Sequence, residues 1–248
     1  MEEGPFPCCD VNLNAFNMDD HPTLNKLLVA AIKCDHLSCA ETLLSNCNDM
    51  DWLAYDTMEI LYDMVWLYPH GIVSRIHKPG LLSLLLKFNI IKSNFVSKIN
   101  DFSILHTATS LSCLKCTNAI LAHGADVNVC DNRLQTPLFY TTQSVECAKA
   151  LLYNGANPNH TNDYGICPLK HAIYYRHHAK AEPKPYIKLL ISAGVDYKKT
   201  FIDAKSGNEY VFLMKIVEEM GGEEGVYKAR QEFEKGRPGS NTKPALKK

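Results

Sequence analysis

No stretch of 18 uncharged apolar residues occurs in the chain, so no segment is expected to span a bilayer as a helix. The richest apolar region, Gly80 to Ile91, is shorter than that and is interrupted by Lys87. A surplus of either charge is also missing. With 26 Lys and Arg against 27 Asp and Glu the formal net charge is −1. No global field would draw the chain to nucleic acid or to an acidic membrane. The N-terminus lacks an apolar run: residues 1–20 carry Glu2, Glu3, Asp10, Asp19 and Asp20 and no Lys or Arg, which does not read as a secretory signal. Phosphate-binding glycine loops, nucleophile elbows, zinc-protease helices and nucleotide fingerprints are absent as well. Together with the repeat pattern that fills most of the chain, this leads us to expect no enzyme and no cofactor.

Of the 248 residues 46% are apolar, enough for one sizeable core or for a stack of small units sharing one. Ten cysteines are present. With no secretory signal they are expected to be reduced thiols in a cytoplasmic or nuclear protein, several of them serving as small core residues.

Three segments repeat one design: a short apolar opening, a helix-turn-helix of sequence, a double aliphatic and a glycine turn. The first runs from Ser103-Ile104-Leu105-His106 to Gly124-Ala125-Asp126-Val127-Asn128, the second from Thr136-Pro137-Leu138-Phe139 to Gly155-Ala156-Asn157-Pro158-Asn159. The third runs from Cys167-Pro168-Leu169-Lys170 to Gly194-Val195-Asp196. The openings at 103, 136 and 167 are 33 and 31 residues apart; the glycines at 124, 155 and 194 are 31 and 39 apart. Upstream, Leu43-Leu44 before Cys47 and Leu85-Leu86 before Asn89 match the same double aliphatic three residues before the turn. Leu27 to Ala31 and Ala40 to Leu44 read as a first helix pair.

Each residue type has a physical reason. Pro137 and Pro168 fit a first helical turn, where the missing N–H is not needed. Thr136 can cap its helix through the hydroxyl. Leu105, Leu138 and Leu169 are expected in the shared core, with Ala108, Ala148 and Ala172 letting helices approach. Gly124, Gly155 and Gly194 suit the left-handed position that ends a helix. Asp126, Asn128, Asn157 and Asn159 favour tight hairpin connections.

A period near 33 with these openings resembles the ankyrin repeat, whose opening is Thr-Pro-Leu-His. The departures are Phe139 and Lys170 in place of histidine, Cys167 in place of threonine, and Cys47 and Asn89 in place of the upstream glycines. The resemblance implies an all-α solenoid of about five helix-turn-helix repeats over 20–200, two of them degenerate and the clear ones within 98–200. An acidic segment, 1–19, precedes it. The third clear repeat holds a polar insertion, 176–185. A capping helix is expected within 201–222, stopped by Gly221-Gly222, and a polar, largely flexible tail over 223–248.

One cluster invites a metal: His106, Cys113, Cys116 and His123. The repeat register puts His106 and Cys113 at opposite ends of one helix. That separates them by roughly 10 Å at about 1.5 Å per residue, too far for one tetrahedral zinc. A structural histidine and two core thiols is the preferred reading. Metal binding stays as an alternative, and no metal is expected. His177-His178 is read as a solvated loop pair, Cys8-Cys9 as an end or cap, and the basic tail from Lys235 to Lys248 as solvated rather than a nuclear address.

The resemblance further implies a concave groove of hairpin tips and first helices that meets a partner protein. Carried onto this chain it selects Asn132, Arg133, Gln135 and Gln143 from the second clear repeat, and Thr161, Asp163, Tyr164, Ile166, Tyr174 and Tyr175 from the third. Phe102, Ser110 and Leu111 come from the first. Arg and Tyr anchor interfaces most often, which singles out Arg133 and Tyr164 with Tyr174-Tyr175 behind. The expected function is a non-enzymatic interaction module, an adaptor or an inhibitor, with no nucleic acid and no membrane. A ubiquitin-ligase substrate adaptor is the alternative. It would need a Leu-Cys-Arg-rich second element, which is not found after Thr200. An inhibitor resembling the NF-κB inhibitor class needs only the groove.

Overall fold

The computed structural model describes residues 21–33, 36–45, 79–89, 92–94, 96, 101–174, 176, 183–202 and 207–238. The expectations for 1–19, for most of 48–98, for Tyr175, His177 and His178, and for the chain beyond Pro238 lie outside these residues. Most of those described are helical. They hold no β-strand, only an isolated antiparallel bridge between Val96 and Ser103. Among them no helix is long and apolar enough to cross a membrane. The chain divides into two compact units, Met1–Phe95 and Val96–Lys248.

In the first unit α1 (His21–Lys33) and α2 (Leu37–Ser45) pack together, and α3 (Pro79–Lys87) packs on α2. Leu24, Leu28 and Ala31 recur every three to four residues, so one face of α1 is buried. Ala40, Leu43 and Leu44 do the same for α2. In α3 Leu82, Leu84, Leu85 and Leu86 are all buried. A Cβ on Gly80 would lie 2.9 Å from Leu37 Cδ1, so α3 enters close against α2. Lys87 reaches Glu41 at 2.9 Å across the same pair. The turn after α3 ends on Asn89, the turn position that the sequence pattern picked out, and its φ of +55° is left-handed like that of the glycines downstream.

The second unit contains the three clear repeats. The first is α4 (Ile104–Ser110) and α5 (Leu114–Ala122). The second is a 3-10 helix (Pro137–Thr141) and α6 (Val145–Tyr153). The third is α7 (Pro168–Tyr174) and α8 (Lys184–Ser192). Leu105, Leu138 and Leu169 are each 0% exposed. At roughly 1.5–3 kcal/mol per buried leucine they are a main source of stacking free energy. Ala108, Ala148 and Ala172 are buried beside them. The glycine turns share one geometry: Gly124, Gly155 and Gly194 have φ of +76°, +92° and +92°. The following N–H groups of Ala125, Ala156 and Val195 donate to the carbonyls of Ile120, Leu151 and Leu190, satisfying the helix ends. Asparagines then link repeat to repeat. Asn128 accepts from the Asn157 N–H at 2.8 Å and donates to the Gly155 carbonyl, and Asn159 accepts from the Asp196 N–H.

The openings differ, and one expectation fails. Ser103 and His106 cap α4 reciprocally, each side chain bonding the other's backbone N–H. His106 Nε2 also pairs with the Gln135 carbonyl at 3.0 Å, tying the first repeat to the second. Thr136 was expected to cap its helix, but its buried hydroxyl has no partner. The reason lies three residues on. The Phe139 N–H that such a cap would accept donates instead to the Thr136 carbonyl in the 3-10 turn, and the Phe139 ring, edge-on to His171, has no polar atom where His106 has one.

A second correction concerns the C-terminus. After α9 (Tyr197–Ile202) and α10 (Gly207–Glu219), residues 222–235 form a helix, α11 (Gly222–Lys235), where a flexible tail was expected. Gly221, at φ +93°, does end α10, but the chain turns and restarts. A side chain at Gly225 would collide with the Met220 carbonyl, so that turn needs glycine. Glu223 and Glu224 in the first turn and Lys235 in the last complement the helix dipole. Val226 and Phe233, seven residues apart, face inward and are buried. Between and beyond them, Arg230 donates to the Ile191 and Val195 carbonyls at the end of α8. Arg237 donates to the Leu152 carbonyl at the end of α6. The helix is thus a strap over the C-terminal ends of two outer helices. α10 is fixed to α8 by Glu219, which meets Lys184 at 3.1 Å and Lys188 at 2.9 Å.

Candidate partner-binding surface

Two tips stand side by side, 131–135 and 162–166, and the same bonds build both. Asp131 Oδ1 accepts from the N–H groups of Arg133 and Gln135, both at 2.8 Å. Asn162 Oδ1 accepts from those of Tyr164 and Ile166, both at 3.0 Å. Each tip is closed by a backbone pair, Asp131 N–H to the Gln135 carbonyl and Asn162 N–H to the Ile166 carbonyl. The tips are then joined, because the Asp163 N–H donates to the Arg133 carbonyl at 3.1 Å. His160 Nε2 pairs with the Leu134 carbonyl at 2.9 Å from below. Asp131 is itself buried, and its Oδ2 accepts from the Tyr140 hydroxyl at 2.6 Å. Burial and that bond push the Tyr140 phenol up from its ordinary range. A rigid base of this kind lets the tip side chains project without collapsing.

Asn132, Arg133, Asp163 and Tyr164 are exposed on these tips, Tyr164 by 74%. Gln143 and Thr161 are exposed too. Ile166 is half-buried at the base of its tip. Gln135 is used within the fold: its side-chain oxygen accepts from Tyr140 and its carbonyl meets His106. Tyr174 is half-buried at the end of α7, with Lys170 Nζ 5.7 Å from its ring centre. On the first repeat Ser110 is exposed and Leu111 half-buried. Phe102 belongs to a ring cluster, stacked on His106 and edge-on to Tyr140.

Sequence reasoning missed one residue here. Leu134 is 52% exposed and adopts φ +56°, a backbone region that bulky side chains avoid. The signal was available, since Leu134 aligns with Gly165 of the next tip, which has φ +67°. Leu134 and Tyr164 set two large apolar groups on adjacent tips, each preceded in the chain by a charged residue, Arg133 or Asp163.

The Cys/His cluster is divided among structural tasks. Both ring nitrogens of His106 are engaged, one with Ser103 and the other with the Gln135 carbonyl. Burial holds its pKa below the ordinary histidine value. His123 Nδ1 lies 2.8 Å from the Ala119 carbonyl at the far end of α5. Only Cys113 and Cys116 are in mutual contact. Among the described residues no group of three or more His, Cys, Asp or Glu could hold a metal ion.

The family model for ankyrin repeats matches residues 105–201 as three copies. The match covers the three repeats built from α4 to α8 together with most of α9. No curated protein matches the chain.

Proposed function

The chain is an ankyrin-repeat protein, and from that premise we propose that it is a non-enzymatic interaction module. Ankyrin repeats generally mediate protein–protein interaction. We read the partner as a protein lying across the two joined tips and the first helices of the second and third clear repeats. The contact residues on this reading are Asn132, Arg133, Gln143, Asp163, Tyr164 and Tyr174, with Ile166 and Gln135 at the base and Leu134 added. One observation carries it. Leu134 and Tyr164 expose large apolar surface on a hydrogen-bonded, rigid base, while the outer helix ends of the same two repeats are covered by α11. Exposed aromatic and apolar side chains held on a rigid frame are what interface anchors require.

Of the finer roles we favour an inhibitor that occupies a partner's surface through this face alone.

The test is affinity capture from the native cell, with the captured protein then titrated against variants. Arg133→Ala and Tyr164→Ala should each weaken binding by at least about 1–2 kcal/mol. Both should leave the melting temperature nearly unchanged, because exposed substitutions usually cost under about 0.5 kcal/mol. Removing residues 239–248 should leave binding intact. If that deletion abolishes binding while both tip variants bind normally, the tail is the recognition element and the reading fails.

A further inference from the structure

The second helices of the first two clear repeats begin alike, with one exchange. α6 is capped by Ser144, whose hydroxyl accepts from the Cys147 N–H at 3.2 Å. α5 is capped by Cys113, whose sulfur accepts from the Cys116 N–H at 3.4 Å. Serine is among the strongest N-cap residues because its oxygen is a good acceptor; a thiol sulfur is a weak one. A cysteine therefore stands at 113 where the equivalent position of the next repeat has the better cap.

The geometry around Cys113 is tightly set. Ser112 turns the chain at φ +56°. The Cys113 N–H donates to the Ala108 carbonyl at 3.0 Å, and the Cys113 carbonyl accepts both the N–H and the hydroxyl of Thr117, each at 2.9 Å. The backbone is thus pinned on both sides of the thiol. The result is a Cys113 sulfur 2.7 Å from that of Cys116. Cys116 is fully buried, Cys113 is half-exposed, and neither is in a disulfide.

We propose that Cys113 and Cys116 form a reversible dithiol–disulfide pair, a redox modification site at the start of α5 that a low-molecular-weight disulfide such as oxidised glutathione converts. Cys113 is the entry thiol, since of the two it is the one that solvent reaches. Its thiolate attacks one sulfur of oxidised glutathione, breaks that S–S bond and forms a mixed disulfide, and the departing glutathione thiolate takes up a proton. Cys116 then loses its proton, attacks the Cys113 sulfur and expels the second glutathione as a thiol. Two protein thiols lose two electrons and two protons, and one small disulfide becomes two thiols. Burial raises the pKa of Cys116, so it is a poor first nucleophile. It acts only in the second step, where contact with Cys113 replaces collision. The disulfide removes the S–H groups at the entrance of α5 and locks its first turn, beside the seam where Thr117 meets Cys147 at 3.8 Å.

The chain carries its own readout. Trypsin cuts after Lys115, between the two cysteines, so only a disulfide holds the peptides 99–115 and 116–133 together. The full-length protein is equilibrated in glutathione buffers from reducing to oxidising, alkylated, and digested without reduction. The linked pair should appear in oxidising buffer with the helical circular dichroism retained, and vanish after dithiothreitol. Cys113→Ser should abolish the link without lowering the melting temperature, because Ser144 shows that serine caps this position. Cys130→Ser should keep it, excluding the other cysteine of peptide 116–133. Three results would each overturn the proposal: both thiols alkylated in oxidising buffer, Cys113 arrested as the glutathione mixed disulfide, or a link that forms only in denaturant.

Discussion

Leu134 and Gly165 occupy the same place in successive tips, and each donates its backbone N–H to a carbonyl three residues earlier, that of Asp131 or Asn162. Both lie in the left-handed region, at φ +56° and +67°. Glycine suffers nothing there, whereas a leucine meets a steric cost of about 1–2 kcal/mol. Strain retained at an exposed apolar residue points to a task outside the tip itself.

Leu134→Gly should accordingly stabilise the protein. The relief of strain exceeds the added chain entropy of glycine, about 0.5–1 kcal/mol, so a net gain of up to about 1 kcal/mol is expected in urea unfolding. The same variant should bind the partner less well. A lower denaturation midpoint would show that the position is unstrained.

Thr136 and Ser103 should respond in opposite ways. The Ser103 hydroxyl is one half of a capping box, so Ser103→Ala should cost about 1–2 kcal/mol. The buried Thr136 hydroxyl bonds nothing, so Thr136→Val should be neutral or stabilising. Equal losses at both sites would mean that Thr136 finds a partner in solution.

Leu138→Ala removes a side chain with no exposed surface, and its cost should be about 2–5 kcal/mol. An unchanged unfolding midpoint would place Leu138 outside the core and break the repeat register.

Acidification should destabilise the fold through two histidines, His106 buried and His171 half-buried. Burial lowers the pKa of His106 and of His171. Below the ordinary value of about 6.5 the unfolded chain therefore takes up protons that the folded chain refuses. Stability rises with pH in that window and falls as pH drops through it. His171→Phe keeps a ring against Phe139 and should lose less melting temperature between pH 7.5 and 5.5 than the wild type. Equal losses would show that His171 accepts a proton without leaving its place.

The repeats were legible because their signals are local and periodic. In the clear repeats a leucine at the third position of each opening, a glycine after each double aliphatic and an asparagine or aspartate in each hairpin report backbone geometry directly. Asn89 shows how far this goes, since a degenerate repeat still ends on a left-handed residue. Two features escaped for physical reasons. α11 buries only Val226 and Phe233, and it and the turn after it are held by charged side chains, Glu223, Arg230 and Arg237, so the composition reads as a solvated tail. Leu134 escaped because leucine is not a turn residue, and only its alignment with Gly165 betrays the conformation. Gln135 was placed on the right tip, but its side chain is turned toward Tyr140 by bonds that no linear pattern encodes.

A stack of repeats usually behaves as a one-dimensional array, in which each unit feels only its neighbours and the ends melt first. The bond from Arg237 to the Leu152 carbonyl spans 85 residues and closes that array into a ring. The second repeat cannot loosen without releasing the strap, and the strap cannot leave without uncovering the end of α8 at Ile191 and Val195. Cooperativity is therefore concentrated between α6 and α11. Hydrogen exchange in those segments should proceed as one event, while α4 and α5, outside the ring, open at lower free energy. Tyr164 lies within the cooperative block and Arg133 is joined to it through the Asp163 N–H, so the face proposed for recognition rests on the part of the array that yields last.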